Sequence, residues 1–266
     1  MLNEGEPSRK VPPARMASKL KGAMNILRGA FFDTRQGRVA YERMRRSEAY
    51  REYLELSYAL REMDLDALRT KEERLVFWIN LYNVIVIHGV VELGIRDSIR
   101  EVRNFLKRVL YRIGDMTFSP DDIEHGILRA NSRPPYALMS RFGASDKRLA
   151  YSITPLEPRV HFTLVCASSS CPPIGVYTAE EIDRELDIAA ATFINAGGIV
   201  LDKEGESVSL SRIFDWYAPD FGETMGDRLR FASRFLFDED DRKFLEENAD
   251  YLKVYYQDYD WRLNRY

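Results

Sequence analysis

Apolar residues recur at three- and four-residue spacing over 17–32 and again over 39–63, which predicts two amphipathic helices. The strongest helical signal runs over 71–93. Leu75, Trp78, Leu81, Tyr82, Ile85 and Val86 follow helical spacing, and Phe77, Ile79, Val84 and Ile87 fill the other faces. A helix that is apolar nearly all round is expected to be central and buried. Glu72 and Glu73 suit its first turn, where the helix dipole favours acids, and Gly94 stops it. Asn80 and Asn83 lie one turn apart on this helix. Buried amides must find partners, so these two are expected to fasten loops or line a site. His88, on the same helix, reads as a packed core histidine.

Beyond residue 100 the pattern changes. Tyr111–Phe118 reads as a strand or hairpin around Gly114-Asp115. Ser119-Pro120-Asp121-Asp122 is a helix start, with a Ser cap, Pro first and acids in the first turn. That helix turns Ile123, Ile127 and Leu128 inward, carries Glu124, His125 and Arg129, and breaks at 131–135. Arg159–Cys166 alternates between prolines and predicts a strand, with His161, Thr163 and Val165 on one face and Phe162, Leu164 and Cys166 on the other. A tight polar loop, 167–173, then holds Cys171. Thr178-Ala179-Glu180-Glu181 is a capping box that opens a helix to about Asn195. A hairpin over 199–202 and 207–210, helices over 211–217 and 238–247, and a strand over 251–256 complete the pattern. Helices mixed with short, locally joined strands predict an α+β fold, mainly helical, with a small and mostly antiparallel sheet. Residues 1–16, with three prolines, are expected to form a mobile tail. Residues 17–64 form an N-terminal helical region, and 65–266 the main domain.

Composition narrows the functional classes. With 45% hydrophobic and 12% aromatic residues the 266-residue chain is not intrinsically disordered. A net charge of −3 gives no general drive toward nucleic acid or membrane. There is no βαβ alternation, no glycine-rich phosphate loop and no basic-aromatic patch, so neither a nucleotide cofactor nor a nucleic-acid partner is expected. The first residues have no apolar signal-peptide core, and Val84–Ile95 is too short and polar for a membrane span. With only Cys166 and Cys171 present, a cytoplasmic protein with free thiols is the expectation. Residues 1–60 carry a net charge of +5 and residues 214–266 a net charge of −5. These read as solvated faces, or as surfaces for a protein partner.

Both cysteines and all three histidines fall between residues 88 and 171. Cys171 lies in SSSCPP, where small residues let backbone N–H groups converge. With Ser169 and Ser170 beside it, such a loop can favour a thiolate and hold an oxyanion. The bland alternative is a buried structural thiol. A thiol nucleophile needs a histidine, and that histidine needs an orienting group. His161 is a tight partner if its strand runs straight, the ends of 161–166 then lying roughly 17 Å apart; His125, on a separate element, is unrestricted. Glu124 points elsewhere than His125, toward Arg129, Arg159 or His161, and Glu124–His125–Arg129 also reads as a buried network that only holds the helix. Zinc is a third reading, with His125, His161, Cys166, Cys171 and Glu124 as ligands, although no standard short spacing is present.

Five segments resemble the DUF547 family: FWINLYNVIVIHGV at 77–90, DDIEHGILR at 121–129, PRVHFTLVCASSSCPPI at 158–174, SRIFDWYAPDF at 211–221 and DYDWRLN at 258–264. The resemblance covers roughly residues 65–266 and departs at Glu157, where an Asp is expected. It implies an α+β domain whose activity is undefined, and a polar set comprising Asn80, Asn83, Glu124, His125, Arg129, Arg159, His161 and Cys171. A Cys, His and acid set on such a scaffold is similar to papain-like and transglutaminase-like thiol enzymes, in the His-before-Cys order of permuted members. The expectation is a cysteine-dependent acyl-transfer enzyme acting on a peptide or acyl compound without a cofactor. Its rival is a non-catalytic interaction domain. Exposure of Cys171 in a groove separates the two.

Overall fold

The all-round apolar stretch forms α4 of the computed structural model, Lys71–Glu92, which describes residues 1–7, 11–33 and 36–266. Thr70 and Glu73 cap its start reciprocally, and every residue from Leu75 to Val91 is buried. By length and composition α4 could cross a bilayer, unlike the shorter stretch considered from sequence, but its apolar window is 94% buried inside the protein. Trp78 packs against Phe77 and Phe118, with ring centroids 5.1 and 4.8 Å away.

The chain folds as two compact units. The first comprises Met1–Glu157, Leu164–Ile182 and Trp261–Tyr266; the second comprises Pro158–Thr163 and Asp183–Asp260. Around α4 the first unit carries α1 (Pro13–Phe31), α2 (Tyr41–Arg45), α3 (Glu48–Ala59) and the short α5 (Phe105–Arg108). It also holds two hairpins, β1 (Phe32–Asp33) with β2 (Arg38–Val39), and β3 (Tyr111–Ile113) with β4 (Met116–Phe118). The single helix expected over 39–63 is two, because the Ser47 hydroxyl accepts the Tyr50 N–H at 3.1 Å and starts α3 afresh. The expected mobile tail is docked at its beginning. Asn3 is fully buried: its amide donates to the Arg112 carbonyl at 2.8 Å and accepts the Arg112 N–H at 2.9 Å, in the manner of an added strand residue on β3. Residues 8–10 of that tail lie outside the described residues.

The second unit contains α6 (Ile182–Phe193, after its first residue), α7 (Ile213–Trp216), α8 (Ala218–Phe221), α9 (Met225–Ser233) and α10 (Glu239–Asn248). Its sheet is β5 (Ile199–Asp202), antiparallel to β6 (Ser207–Leu210), with β7 (Lys253–Tyr256) added parallel to β6. Phe162, Phe193, Phe214 and Phe221 form the aromatic centre of its core. The architecture is thus mainly helical α+β with sheets of two and three strands. The strand expected over 159–166 is absent. Pro158–Phe162 is a 3-10 turn, closed where Val160 O accepts from both the Thr163 N–H at 2.9 Å and the Thr163 hydroxyl at 2.7 Å. Thr163, placed by alternation on a strand face, instead satisfies the turn, so the straight-strand span assumed for His161 does not apply.

His88 packs edge-on against Tyr50, Tyr53 and Tyr111, its Nδ1 bonded to the Tyr111 hydroxyl and its Nε2 4.0 Å from Glu92. Burial pushes its pKa down to about 3, so the folded state holds it neutral. The unfolded chain protonates it below about pH 6.5. Its contribution to stability is therefore complete above that pH and is lost as pH falls toward about 3. Denaturation midpoints measured across this window should fall in the wild type, and His88→Phe should remove the His88 share of that slope.

Candidate functional site

The cysteine-bearing segment is held from the buried side by α4. Asn83 Oδ1 accepts the Val165 N–H at 2.9 Å. Asn80 takes both backbone groups of Tyr177, accepting its N–H and donating to its carbonyl, each at 3.1 Å. The two amides thus fasten the chain on either side of Cys171. The C-terminal residues of the same unit hold the loop from the other side. Ser169 donates its N–H and its hydroxyl to Arg262 O, at 2.8 and 3.0 Å, and Asn264 N–H donates to Ala167 O at 3.0 Å. Between these fasteners Ala167 adopts a left-handed backbone at φ 63°, a conformation that costs a non-glycine residue energy and that recurs at functional sites.

The two sulfurs meet inside this loop. Cys166 and Cys171 are joined as a disulfide, with Cα atoms 6.3 Å apart, which corrects the expectation of free thiols. A tight loop of four intervening residues brings the sulfurs together, a proximity that alternation along a strand did not suggest. The Cys166 N–H donates to Cys171 Sγ at 3.0 Å, and the Ser168 hydroxyl lies 3.2 Å from each sulfur. Ser168 is buried, while Ser169 is exposed and turned to Arg262. Cys171 is half-buried and lines a cleft of about 60 Å³, with Phe32, Val165, Pro172, Ile174 and Asn264 among the walls. Since a water molecule takes about 30 Å³, the cleft suits a small group.

His125 lies on Asp122–Leu128, a π-helix rather than the α-helix expected, where the Arg129 N–H reaches back five residues to Glu124 O at 2.9 Å. Such wide turns are frequent at functional sites. The expected Ser cap is present and reciprocal: the Ser119 N–H and hydroxyl donate to Asp122, and the Ser119 hydroxyl accepts the Asp122 N–H. Arg129 Nη1 stands 2.8 Å from His125 Nδ1. Guanidinium only donates, so Nδ1 accepts and the ring's proton is carried on Nε2. Nε2 lies 3.8 Å from Asp121 and 4.0 Å from Glu124, whose other oxygen accepts from Tyr82 at 3.2 Å. Arg141 pairs with Asp121 at 3.0 Å and Asp122 at 2.8 Å, and Tyr136 bonds Asp121.

In the second unit His161 is buried, and its Nε2 donates to Asp220 Oδ2 at 2.7 Å. Tyr217 stacks on the ring, centroids 4.0 Å apart. Arg159 clamps the start of α6, reaching Asp183 Oδ1 at 2.7 Å and Asp187 Oδ1 at 2.6 Å. Asp220 was not singled out from sequence; its signal was an acid embedded in the aromatic run WYAPDF. Among the described residues no group of three or more His, Cys, Asp or Glu could hold a metal ion, so the ligand set proposed for zinc is not assembled.

A family model described as "Protein of unknown function, DUF547" matches residues 65–194. This segment is a DUF547 domain. No curated protein and no solved structure matches the chain. The DUF547 match contains α4, the π-helix, the 3-10 turn and the cysteine loop. Asp220 and the C-terminal residues that hold the loop lie beyond it.

Asn83→Ala would leave the buried Val165 N–H without its acceptor and should cost about 1–3 kcal/mol. Ser169→Ala, at an exposed hydroxyl, should stay within about 0.5 kcal/mol. Chemical denaturation of both variants compares the two.

Proposed function

We propose that the DUF547 domain is a cysteine-dependent acyl-transfer enzyme, with Cys171 as nucleophile in its reduced form. The observation that carries this is the setting of Cys171 Sγ. It lines an open cleft and accepts a backbone N–H at 3.0 Å, with a hydroxyl 3.2 Å away. Donors aimed at a sulfur favour its thiolate. A packed structural thiol would have neither the cleft nor the converging donors.

The cycle starts with reduction of the Cys166–Cys171 bond by a dithiol, which is itself oxidised to a disulfide. Cys171 then transfers its proton to a histidine and attacks the acyl carbonyl. The carbon–sulfur bond forms, and the leaving group departs with the histidine's proton. Water or an acceptor nucleophile resolves the thioester and restores the thiolate. Two histidines were candidates for the base. At His125, Arg129 donates to Nδ1, which leaves the ring's proton on Nε2. At His161, Asp220 accepts from Nε2 and would stabilise an imidazolium once formed. The substrate is an acyl or peptide compound with a small group at the acyl side.

The test is alkylation of the reduced, folded protein by iodoacetamide at pH 6, read residue by residue by mass spectrometry. Cys171 should react at least about tenfold faster than Cys166, since its thiolate fraction at this pH exceeds that of a thiol near pKa 8.5. Of His125→Ala and His161→Ala, each checked for folding, the variant that removes the base should slow Cys171 while the other should not. Equal rates at the two cysteines would overturn the thiol-enzyme proposal, as would unchanged labelling of Cys171 in both histidine variants.

A further inference from the structure

The segment after the π-helix is a closed loop with an apolar apex. Asn131 pins the two ends of residues 131–142 together: its amide donates to Phe142 O at 3.0 Å and accepts the Phe142 N–H at 2.8 Å. The root is packed from several sides. The Phe142 ring covers Gly126 so closely that a Cβ there would stand 2.1 Å from it, and the Arg148 guanidinium lies 4.3 Å from the ring centroid. Pro134 is buried, Arg129 donates to Arg133 O at 3.3 Å, and Tyr136 bonds Asp121. Twelve residues closed end to end in this way make a compact Ω-type loop. Its apex is Leu138 and Met139, 91% and 79% exposed, next to Tyr136 at 57%. Single exposed apolar residues are ordinary. Two in succession at the apex of a loop whose root is packed and hydrogen-bonded hold apolar surface in water at a fixed place.

The surroundings are cationic. Arg133 is exposed in the loop itself, and Lys107 Nζ stands 4.0 Å above the Tyr136 ring. Arg108 and Arg103 are exposed in and just before the same short helix, α5. No ion pair among the described residues engages Arg103, Lys107, Arg108 or Arg133. The acids nearest in sequence are already used: Asp97 pairs with Arg265 at 3.1 Å, and Glu101 accepts the N–H groups of Asp97 and Ser98.

We propose that the 131–142 loop docks this protein on an anionic membrane surface. Leu138 and Met139 enter the boundary between headgroups and acyl chains, while Arg133, Lys107 and Arg108 meet lipid phosphates and carboxylates. An apolar tip with cations in its own loop and on the helix against Tyr136 is the combination that peripheral membrane binding uses, one part burying area and the other drawn to anionic lipid. A folded protein partner is the poorer fit. A stable protein interface needs about 800 Å² from each side, and two side chains at a loop apex offer a fraction of that. This proposal is independent of the thiol chemistry.

Sedimentation of the full chain with vesicles tests it. The protein should pellet with phosphatidylcholine vesicles that contain phosphatidylserine, not with phosphatidylcholine alone, and added salt should release it. Leu138→Asp with Met139→Asp should lower vesicle affinity at least about tenfold. Arg133→Gln with Arg108→Gln should weaken binding and flatten its salt dependence. All four positions are exposed, so the melting temperatures should not change. Failure of the wild type to bind the anionic vesicles would overturn the proposal, as would undiminished binding by the double aspartate variant. Binding to poly-glutamate but not to vesicles would also overturn it, and would mark an acidic protein as the partner.

Discussion

Two carboxamides on a helix that water does not reach set the position of the cysteine loop. Asn80 and Asn83 sit where α4 is apolar on every side, so neither can be left unpaired without a cost of about 1–3 kcal/mol. Tyr177 and Val165 meet that need with backbone groups that would otherwise also be buried and unmatched. The requirement is mutual, and it makes the cysteine segment an extension of the core rather than a surface loop. On such a mount a left-handed Ala167 and the Cys166–Cys171 disulfide can persist.

The same logic runs through the polar cluster beside it. Asp121, Asp122, Glu124, His125 and Arg129 are all buried, and each acid has a hydroxyl or guanidinium against it. This network fixes the π-helix and forms the root of the loop that follows. Leu138 and Met139 are therefore presented by a buried charge network, an arrangement that keeps the root ordered whether or not the apex is covered. Chemistry at the cysteine and docking at the loop would then share one scaffold without depending on each other.

Features governed by local composition were legible in the sequence. All-round apolarity announced the burial of α4, and the asparagines on it were expected to fasten loops. The Ser119–Asp122 cap and the hairpins at 111–118 and 199–210 followed from turn and cap residues. Features governed by contacts distant in sequence were not legible. Nothing near Asn3 reveals that Arg112, more than a hundred residues away, will take its amide. Alternation over 159–166 suggested a strand, but Thr163 closes a turn with Val160 instead. The disulfide needs the loop geometry that brings Cys171 back to Cys166. Asp220 shows its role only once His161 is seen to donate to it.

Native-state hydrogen exchange tests most directly whether α4 holds the cysteine loop as part of the core. The amides of Val165 and Tyr177 are predicted to exchange only through global unfolding, with the same protection free energy and denaturant dependence as mid-helix amides of α4. Exchange of these two amides through a low-energy local opening, while α4 stays protected, would contradict it.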